Sequence, residues 1–326
     1  METKKGFITV ATGKEQYYIL AYNLLQSYRR HSKSPTPFAI ICDQHNEWTD
    51  DFDDVVIMEN PAHSYVDKLR ILDLSPYDET IFIDADSLVY RDLNGLWDLF
   101  KDGPDLGLLG STQLPDEEGW WKTENMGALK DKVDFKVIAM GGLYYVRNNG
   151  KELPAIKETC KYVAEHYLDF HFSIFEKILS DETILSMTAA VHHIRPICHY
   201  NDVYAYYPIV RCVKADIARG RLRYSWENGS GEPITDGYFI HFGTLNTLGK
   251  QSDGLYYREV YRLRYHPDRR KDLKDRFSFL GRRMVNHSRL VRAIANLFPK
   301  ELRNKYNKVD SRGREHICCG DPDLVK

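Results

Sequence analysis

The sequence predicts an α/β fold: a Rossmann-like, mostly parallel central sheet flanked by helices, with a basic helical extension at the C-terminal end. Three observations predict it. Short apolar, β-rich runs alternate with helical patterns through the first hundred residues, which is the signature of parallel strands joined by helical crossovers. The runs end abruptly at Thr12-Gly13, Asp43 and Asp84, the small or acidic residues expected where strands reach the edge of a sheet. The charge also divides along the chain: residues 1–261 carry 27 Lys and Arg against 39 Asp and Glu, whereas residues 262–308 carry 15 against 4. An acidic body joined to a basic segment places the boundary near residue 262, giving a domain over 1–262 and an extension over 263–326.

The elements follow in order. Phe7 to Ala11 reads as the first strand, and Tyr18, Ala21, Leu24, Leu25 and Tyr28 mark the helix after it. Pro37 to Cys42 and Val55 to Ile57 are the second and third strands, and residues 65–73 a helix. Ile81-Phe82-Ile83 is a fourth strand running into Asp84. Ligands in such sheets sit beyond the carboxyl ends of the strands, which puts Thr12 and Asp84 at the mouth of one site. Leu106 to Leu109 is a further strand, and residues 111–135 read as a long loop. Its pair Trp120-Trp121 is either part of a binding lid or a plug in a hydrophobic gap. Val137 to Val146 is a strand carrying Gly141-Gly142, which marks either a close approach to a ligand or a β-bulge. Residues 152–168 and 172–188 read as helices, and Tyr238 to Phe242 as a late strand. Over 270–298, Leu273, Phe277, Leu280, Met284, Val291, Ile294 and Phe298 recur at helical steps beside an arginine-rich face.

The bulk numbers bound the class. At 326 residues, 43% hydrophobic and 28% charged, the chain is long enough for one large globular domain and an appendage. The six cysteines (Cys42, Cys160, Cys198, Cys212, Cys318, Cys319) form no C-x-x-C pair, which argues against a zinc knuckle and for a reducing compartment. No window reaches the roughly 18 apolar residues of a membrane span. The expected location is the cytoplasm, with segment 270–298 allowing peripheral contact on the cytoplasmic face of a membrane. Packing of that stripe against the acidic body, or contact with a partner, fits it as well. No nucleic-acid module is recognisable, so no nucleic-acid partner is expected.

Asp84-Ala85-Asp86 carries the chemistry. A nucleoside diphosphate gathers negative charge, and a protein can hold it through a divalent cation. Mg²⁺ and Mn²⁺ take oxygen ligands, commonly one or two carboxylates plus phosphate oxygens. Two aspartates at the end of an apolar strand supply that arrangement, although Asp-x-Asp alone also occurs by chance in turns.

The stretch Lys68-Leu69, Tyr77, Ile81 to Ile83, Asp84-Ala85-Asp86 and Leu99-Phe100 resembles the glycogenin-like, family-eight glycosyltransferases, in order and spacing. Looser likenesses extend over roughly 6–251. Thr12 and Tyr18 resemble the family's Thr and its nucleobase-side Tyr. Met140-Gly141-Gly142 stands where the family has Asn-Ser-Gly, and Asp181-Glu182 where it has Asp-Gln. His241-Phe242-Gly243 and Gly249-Lys250 stand where it has His-x-x-Gly-x-x-Lys-Pro-Trp. The resemblance implies a GT-A fold, a UDP-sugar donor, a retaining hexosyl transfer and a Mn²⁺ or Mg²⁺ ion held by Asp84, Asp86 and His241. It further implies Lys250 as a clamp on the diphosphate, Gly243 in the turn beside it, Lys68 near the donor sugar and Asp181 beside the anomeric carbon, with Gly141 and Gly142 leaving room for the sugar ring. The acceptor would be a glycan, glycolipid or protein, as in polysaccharide biosynthesis.

Each residue also has a plainer reading. His241 alone would pass for a core histidine, Lys68 and Lys250 for surface charges, and Asp181 for a helix N-cap. His192, His193, His199, Tyr200, Tyr204, Tyr206 and Tyr207 could line an acceptor groove or simply pack. Two other functions compete. A sugar nucleotidyltransferase would open with a glycine-rich basic loop, whereas Thr12-Gly13-Lys14-Glu15 has one Gly and no Arg. A catalytically inactive carbohydrate-binding protein would tolerate loss of the metal ligands, which this chain keeps.

Overall fold

The computed structural model of the chain describes residues 3–175, 178–210, 212–225, 237–243 and 251–265. Lys250, segment 270–298, the pair Cys318-Cys319 and nearly all of the expected extension 263–326 lie outside the described residues. Met1–Leu263 forms one compact unit.

In chain order the described elements are β1 (Lys5–Ala11), α1 (Glu15–His31), β2 (Phe38–Cys42), β3 (Asp54–Ile57), α2 (Ile71–Leu74), β4 (Glu79–Ile83), β5 (Ser87–Val89), α3 (Trp97–Phe100), β6 (Leu106–Gln113), β7 (Lys136–Arg147), α4 (Leu153–Glu165), α5 (Asp181–Val191), β8 (Tyr204–Tyr206), β9 (Cys212–Asp216), β10 (Arg221–Ser225), β11 (Phe239–His241) and α6 (Gln251–Tyr265). The main sheet has the order β3-β2-β1-β4-β7-β6. Its first four strands run parallel, and β7 and β6 are antiparallel to their neighbours. The expected mixed α/β architecture, a mostly parallel central sheet flanked by helices, is the one found. Strands β1, β2 and β4 are buried almost throughout, as strands covered on both faces must be. A second sheet, β5-β11-β8, carries the chain from the end of β4 to its late strand. Its core joins Leu88, Ile240 and Phe242 to Leu255, Tyr256 and Val260 of α6.

Several expectations change. The helix expected over 65–73 is a 3-10 turn, Tyr65–Arg70, followed by the single turn of α2. The helix expected over 172–188 begins only at Asp181. His171 and Phe175 have φ of 48° and 56°, a left-handed backbone that no α-helix admits. The long loop expected over 111–135 is packed: Trp121, Met126, Leu129, Val133 and Phe135 all enter the main core. Trp121 is 1% exposed, with Phe172 against it at 6.2 Å between ring centroids. The tryptophan pair is therefore the plug and not an exposed lid.

Among the described residues no helix is long and apolar enough to cross a membrane. Cys42, Cys160 and Cys198 are free thiols.

Candidate functional site

The site grows out of two strand pairings. At the carboxyl end of β4 the chain turns through Asp84-Ala85-Asp86 and enters β5. Strand β11 pairs antiparallel with β5, in the register His241↔Ser87. The end of β11 therefore lies beside the start of β5, directly after Asp86, and the Phe242 amide donates to the Asp86 carbonyl at 3.1 Å. An aspartate pair and a histidine more than 150 positions later are brought together by backbone hydrogen bonds alone.

His241 Nε2 lies 3.1 Å from Asp86 Oδ1 and 3.4 Å from Asp84 Oδ2. One ligand atom from each of the three residues falls within 4.8 Å of the others. Lys68, on the Tyr65–Arg70 turn, donates from Nζ to Asp84 Oδ2 at 2.6 Å and sits 3.8 Å from Asp181 Oδ2. Asp181 is the first residue of α5 and 2% exposed. Ser180, not Asp181, holds the N-cap position, and its side chain makes no cap bond.

Strand β7 passes this cluster without side chains in the way. Its pairing with β6 jumps from Leu108↔Tyr144 to Gly110↔Ala139, so that Met140 to Leu143 bulge. The Gly142 carbonyl accepts from the Asp84 amide at 3.1 Å, and the Gly141 amide donates to Glu182 Oε1 at 2.8 Å. A Cβ on Gly142 would meet His241 Nδ1 at 2.5 Å, and one on Gly141 would meet Glu182 Cγ at 2.8 Å and Asp181 Oδ2 at 2.9 Å. The two readings of this glycine pair thus coincide: the bulge is what lets the backbone pass between the acids and the histidine.

The electrostatics follow from burial and proximity. Burial opposes charge on His241, but Asp86 and Asp84 outweigh it and push the imidazole up to about 10. Burial likewise opposes charge on Lys68, yet Asp181 and Asp84 hold the ammonium well above its ordinary range. Burial would raise Asp84, but Lys68 and His241 hold it well below the usual carboxylate range. Asp181 is raised, by burial first and by Glu182 and Asp84 against the pull of Lys68. Glu182 is raised by burial, against the Gly141 amide and Lys68.

The donor set fits a divalent cation. Asp84, Asp86, Asp181 and Glu182 bring carboxylates to one place, with Lys68 as the neighbouring cation and the His241 ring, a ligand once its proton is displaced, against Asp84 and Asp86. Asp86 Oδ1, Asp181 Oδ2 and His241 Nδ1 are buried without an aligned hydrogen bond, a costly condition that a ligand would relieve. Two carboxylates and an imidazole suit Mn²⁺ or Mg²⁺ better than they suit a soft metal.

The other expected residues sort themselves around this centre. Thr12 donates to Asp67 Oδ2 at 2.8 Å. Tyr18 is wholly buried and its hydroxyl donates to Asp43, so it offers no open ring face for stacking. Gly13, at φ 81°, donates its amide to both oxygens of Asp43 at 3.2 and 3.1 Å. Asp43 and Asp67 therefore organise the ends of β1 and β2, a role the sequence reading missed; that each acid stands just after a strand or early in a helical turn was the available signal. Gly243 has φ 48°, and a Cβ there would meet the Tyr206 ring at 2.5 Å. The expected His and Tyr cluster divides. Tyr206 and Tyr204 lie 5.2 and 6.1 Å from His241 between ring centroids. His192 instead bonds Thr159 at 2.8 Å, and His193 lies 3.3 Å from Asp134. Those two follow the far end of α5, about 16 Å along its axis from Asp181, where Thr159 and Asp134 are their neighbours.

No family model matches the chain, and no curated protein matches it. Solved structures do. The apo structure of the bifunctional glycosyltransferase WbbM is similar at a TM-score of 0.50 and 11% identity, over 85% of this chain and 52% of that one. An active-site mutant of LgtC is similar at a TM-score of 0.47 and 13% identity, over 82% of this chain and 99% of that one. The glycosyltransferase GlyE of Streptococcus pneumoniae TIGR4 is similar at 0.39 and 16%, over 57% and 43%. The chain spans about half the length of the WbbM chain. Likeness at such identities is likeness of fold, and the fold shared with WbbM is the GT-A-like α/β sheet whose strand ends carry Asp84 and Asp86.

Proposed function

We propose that the chain is a metal-dependent glycosyltransferase that moves a hexose from a nucleoside-diphosphate sugar, UDP-linked by the family resemblance, onto a hydroxyl of a glycan, lipid-linked or protein acceptor. The observation that carries the reading is the convergence of Asp84, Asp86 and His241 within 4.8 Å, beside Lys68 and Asp181, at the carboxyl ends of the strands. In the reaction the bond from the anomeric carbon to the diphosphate oxygen breaks. The acceptor oxygen bonds to that carbon, and the acceptor's proton passes to the departing diphosphate or to a carboxylate. A Mn²⁺ or Mg²⁺ ion held by Asp84, Asp86 and His241 would offset the charge gathering on the leaving group. Lys68 fixes Asp84 and brings its own charge to the same place. Asp181 presents a carboxylate to oxocarbenium-like charge, and Gly141-Gly142 keep that space free of side chains. Retention of anomeric configuration rests on the family resemblance, as do the diphosphate clamp at Lys250 and cytoplasmic action beside a membrane. The inactive-binder and nucleotidyltransferase readings have no observation of their own in their favour.

The test is release of free nucleoside diphosphate from a panel of nucleotide-sugars, with Mn²⁺ or with EDTA, by wild type and Asp86→Ala. One donor consumed only with metal, and at least about 100-fold faster by wild type, is the expected result. No donor consumed, and none bound by calorimetry, would sink the reading.

A further inference from the structure

We infer that Tyr65 and Phe175 form an aromatic platform that holds the acceptor by the apolar face of a hexopyranose ring, so that the acceptor is a sugar and not a bare peptide or lipid hydroxyl. The inference rests on the transferase reading and names the substrate class at its second subsite.

Tyr65 opens the turn that carries Lys68. The residue stays 42% exposed, although Lys68 Nζ lies only 5.5 Å from its ring centroid. The same ammonium is 2.6 Å from Asp84 Oδ2 and 3.8 Å from Asp181 Oδ2. Lys68 thus stands between the Tyr65 ring and the carboxylates of Asp84 and Asp181, so that a part-exposed aromatic side chain borders the acidic cluster. Asp181 adds a second, independent sign of a ligand there: Oδ2 has no hydrogen-bond partner on a side chain that is 2% exposed.

Phe175 completes the wall. Its ring lies 6.2 Å from that of Tyr65, tilted by 50°. It is held there by a left-handed backbone, φ 56°, which a bulky residue adopts at a cost and which clusters at ligand sites. The surroundings fix that conformation. The Phe175 carbonyl accepts from the Tyr167 hydroxyl at 3.2 Å and from the Ile178 amide at 3.0 Å. Ser173 ties the segment to the tryptophan stretch, its amide donating to the Trp120 carbonyl and its hydroxyl to the Gly119 carbonyl, both at 2.7 Å. Phe172 meanwhile anchors in the core against Trp121 and Tyr167. The buried tryptophan is the footing of the aromatic wall. An open aromatic surface beside a carboxylate with a free acceptor lone pair matches one class of ligand well: a ring with C–H groups on its face and hydroxyls on its edge.

The experiment reads how a bound donor's sugar is partitioned. The full-length protein, its metal and the nucleotide-sugar it turns over are incubated with methyl α- and β-hexopyranosides. Products are separated into disaccharide and free sugar. The disaccharide-to-free-sugar ratio does not depend on how much of the sample is folded, nor on how well the donor site works. Phe175→Ala and Tyr65→Ala should each lower it about tenfold, the order of one lost aromatic contact. Phe175→Tyr should keep it within about threefold. Ratios within twofold of wild type in both alanine variants overturn the platform. So does wild type yielding only free sugar with every methyl hexopyranoside. Wild type consuming no donor at all is a separate outcome, which removes the transferase reading and this inference with it.

Discussion

Two groups of aspartates stand at the carboxyl edge of the same sheet and differ in how they are satisfied. At the ends of β1 and β2, Asp43 accepts from the Gly13 amide and the Tyr18 hydroxyl, and Asp67 from the Thr12 hydroxyl and the Ala62 amide. At the end of β4 and the start of α5, Asp86 Oδ1 and Asp181 Oδ2 are buried without an aligned hydrogen bond, with only the ionic neighbours His241 at 3.1 Å and Lys68 at 3.8 Å. The first group resembles finished masonry that shapes a surface. The second is left incomplete by the chain itself, which is the condition in which a ligand gains most from arriving. Carboxylate content does not distinguish the two groups; the fate of each lone pair does.

The largest effect that would sharpen this comparison lies at Lys68, the cation between Asp84 and the incomplete Asp181. Lys68→Met leaves Asp181 without its neighbouring cation and Asp84 with His241 alone, and should cost about 3–5 kcal/mol of stability. Urea denaturation measures it, and adding Asp181→Asn should recover part of the loss. If Lys68→Met proves neutral, the acids are solvated and the contrast with Asp43 and Asp67 collapses. Next comes Gly142→Ala. The new methyl group meets His241 Nδ1 at 2.5 Å and the Tyr204 hydroxyl at 2.8 Å, so it should cost about 1–3 kcal/mol. On the proposed metal reading Mn²⁺ should raise the melting temperature of the wild type and leave that of this variant unchanged. A Mn²⁺ response preserved in that variant would take His241 out of the ligand set. On the finished side, Asp67→Ala removes two hydrogen bonds and should cost roughly 1–2 kcal/mol while leaving the Mn²⁺ response intact.

The smallest effect is a pH control placed away from both groups. His31 ends α1; burial, followed by the charge of Arg30, lowers it to about 4 against a backbone hydrogen bond at Ile217. The folded state then binds fewer protons than the unfolded one between about pH 6.5 and 4. Stability from this residue is therefore undiminished above pH 6.5 and falls as the pH drops toward 4. His31→Gln should flatten that part of the stability curve and leave donor turnover at pH 7.5 unaltered. An unchanged acid limb would mean that other groups set it.

Much of the incomplete site was readable in the sequence, because its signals are local. An apolar strand running into Asp84-Ala85-Asp86 is contiguous, and His241-Phe242-Gly243 follows its own short strand. The backbone pairing of β5 with β11 then does what spacing could not show. The finished group was harder to read: Asp43 and Asp67 are single acids at the ends of elements, and only the contacts of Thr12, Gly13 and Tyr18 reveal their work. Two stretches, 111–135 and 172–180, were harder to read for a related reason, whereas the strand at 137–146 and the helix after residue 152 stand where expected. Their tryptophans and phenylalanines carry no period, and whether such residues form a lid or a core depends on what packs over them from 50 residues away. The helix expected over 172–188 starts only at Asp181 because His171 and Phe175 take left-handed backbone conformations that apolar spacing does not reveal.

The late arrival of β11 has a consequence in time. A ribosome making this chain at 5–20 residues per second has finished Asp86 on the order of ten seconds before it reaches His241. Through that interval β5 has no β11 to pair with, and the two aspartates lack their histidine. Any chain released before the codon for His241 would hold the aspartate pair without the histidine that completes the cluster, and on the proposed metal reading it would lack one of the three donors. Placing His241 on a strand near the far end of the domain makes its synthesis a condition for assembling the three-residue cluster.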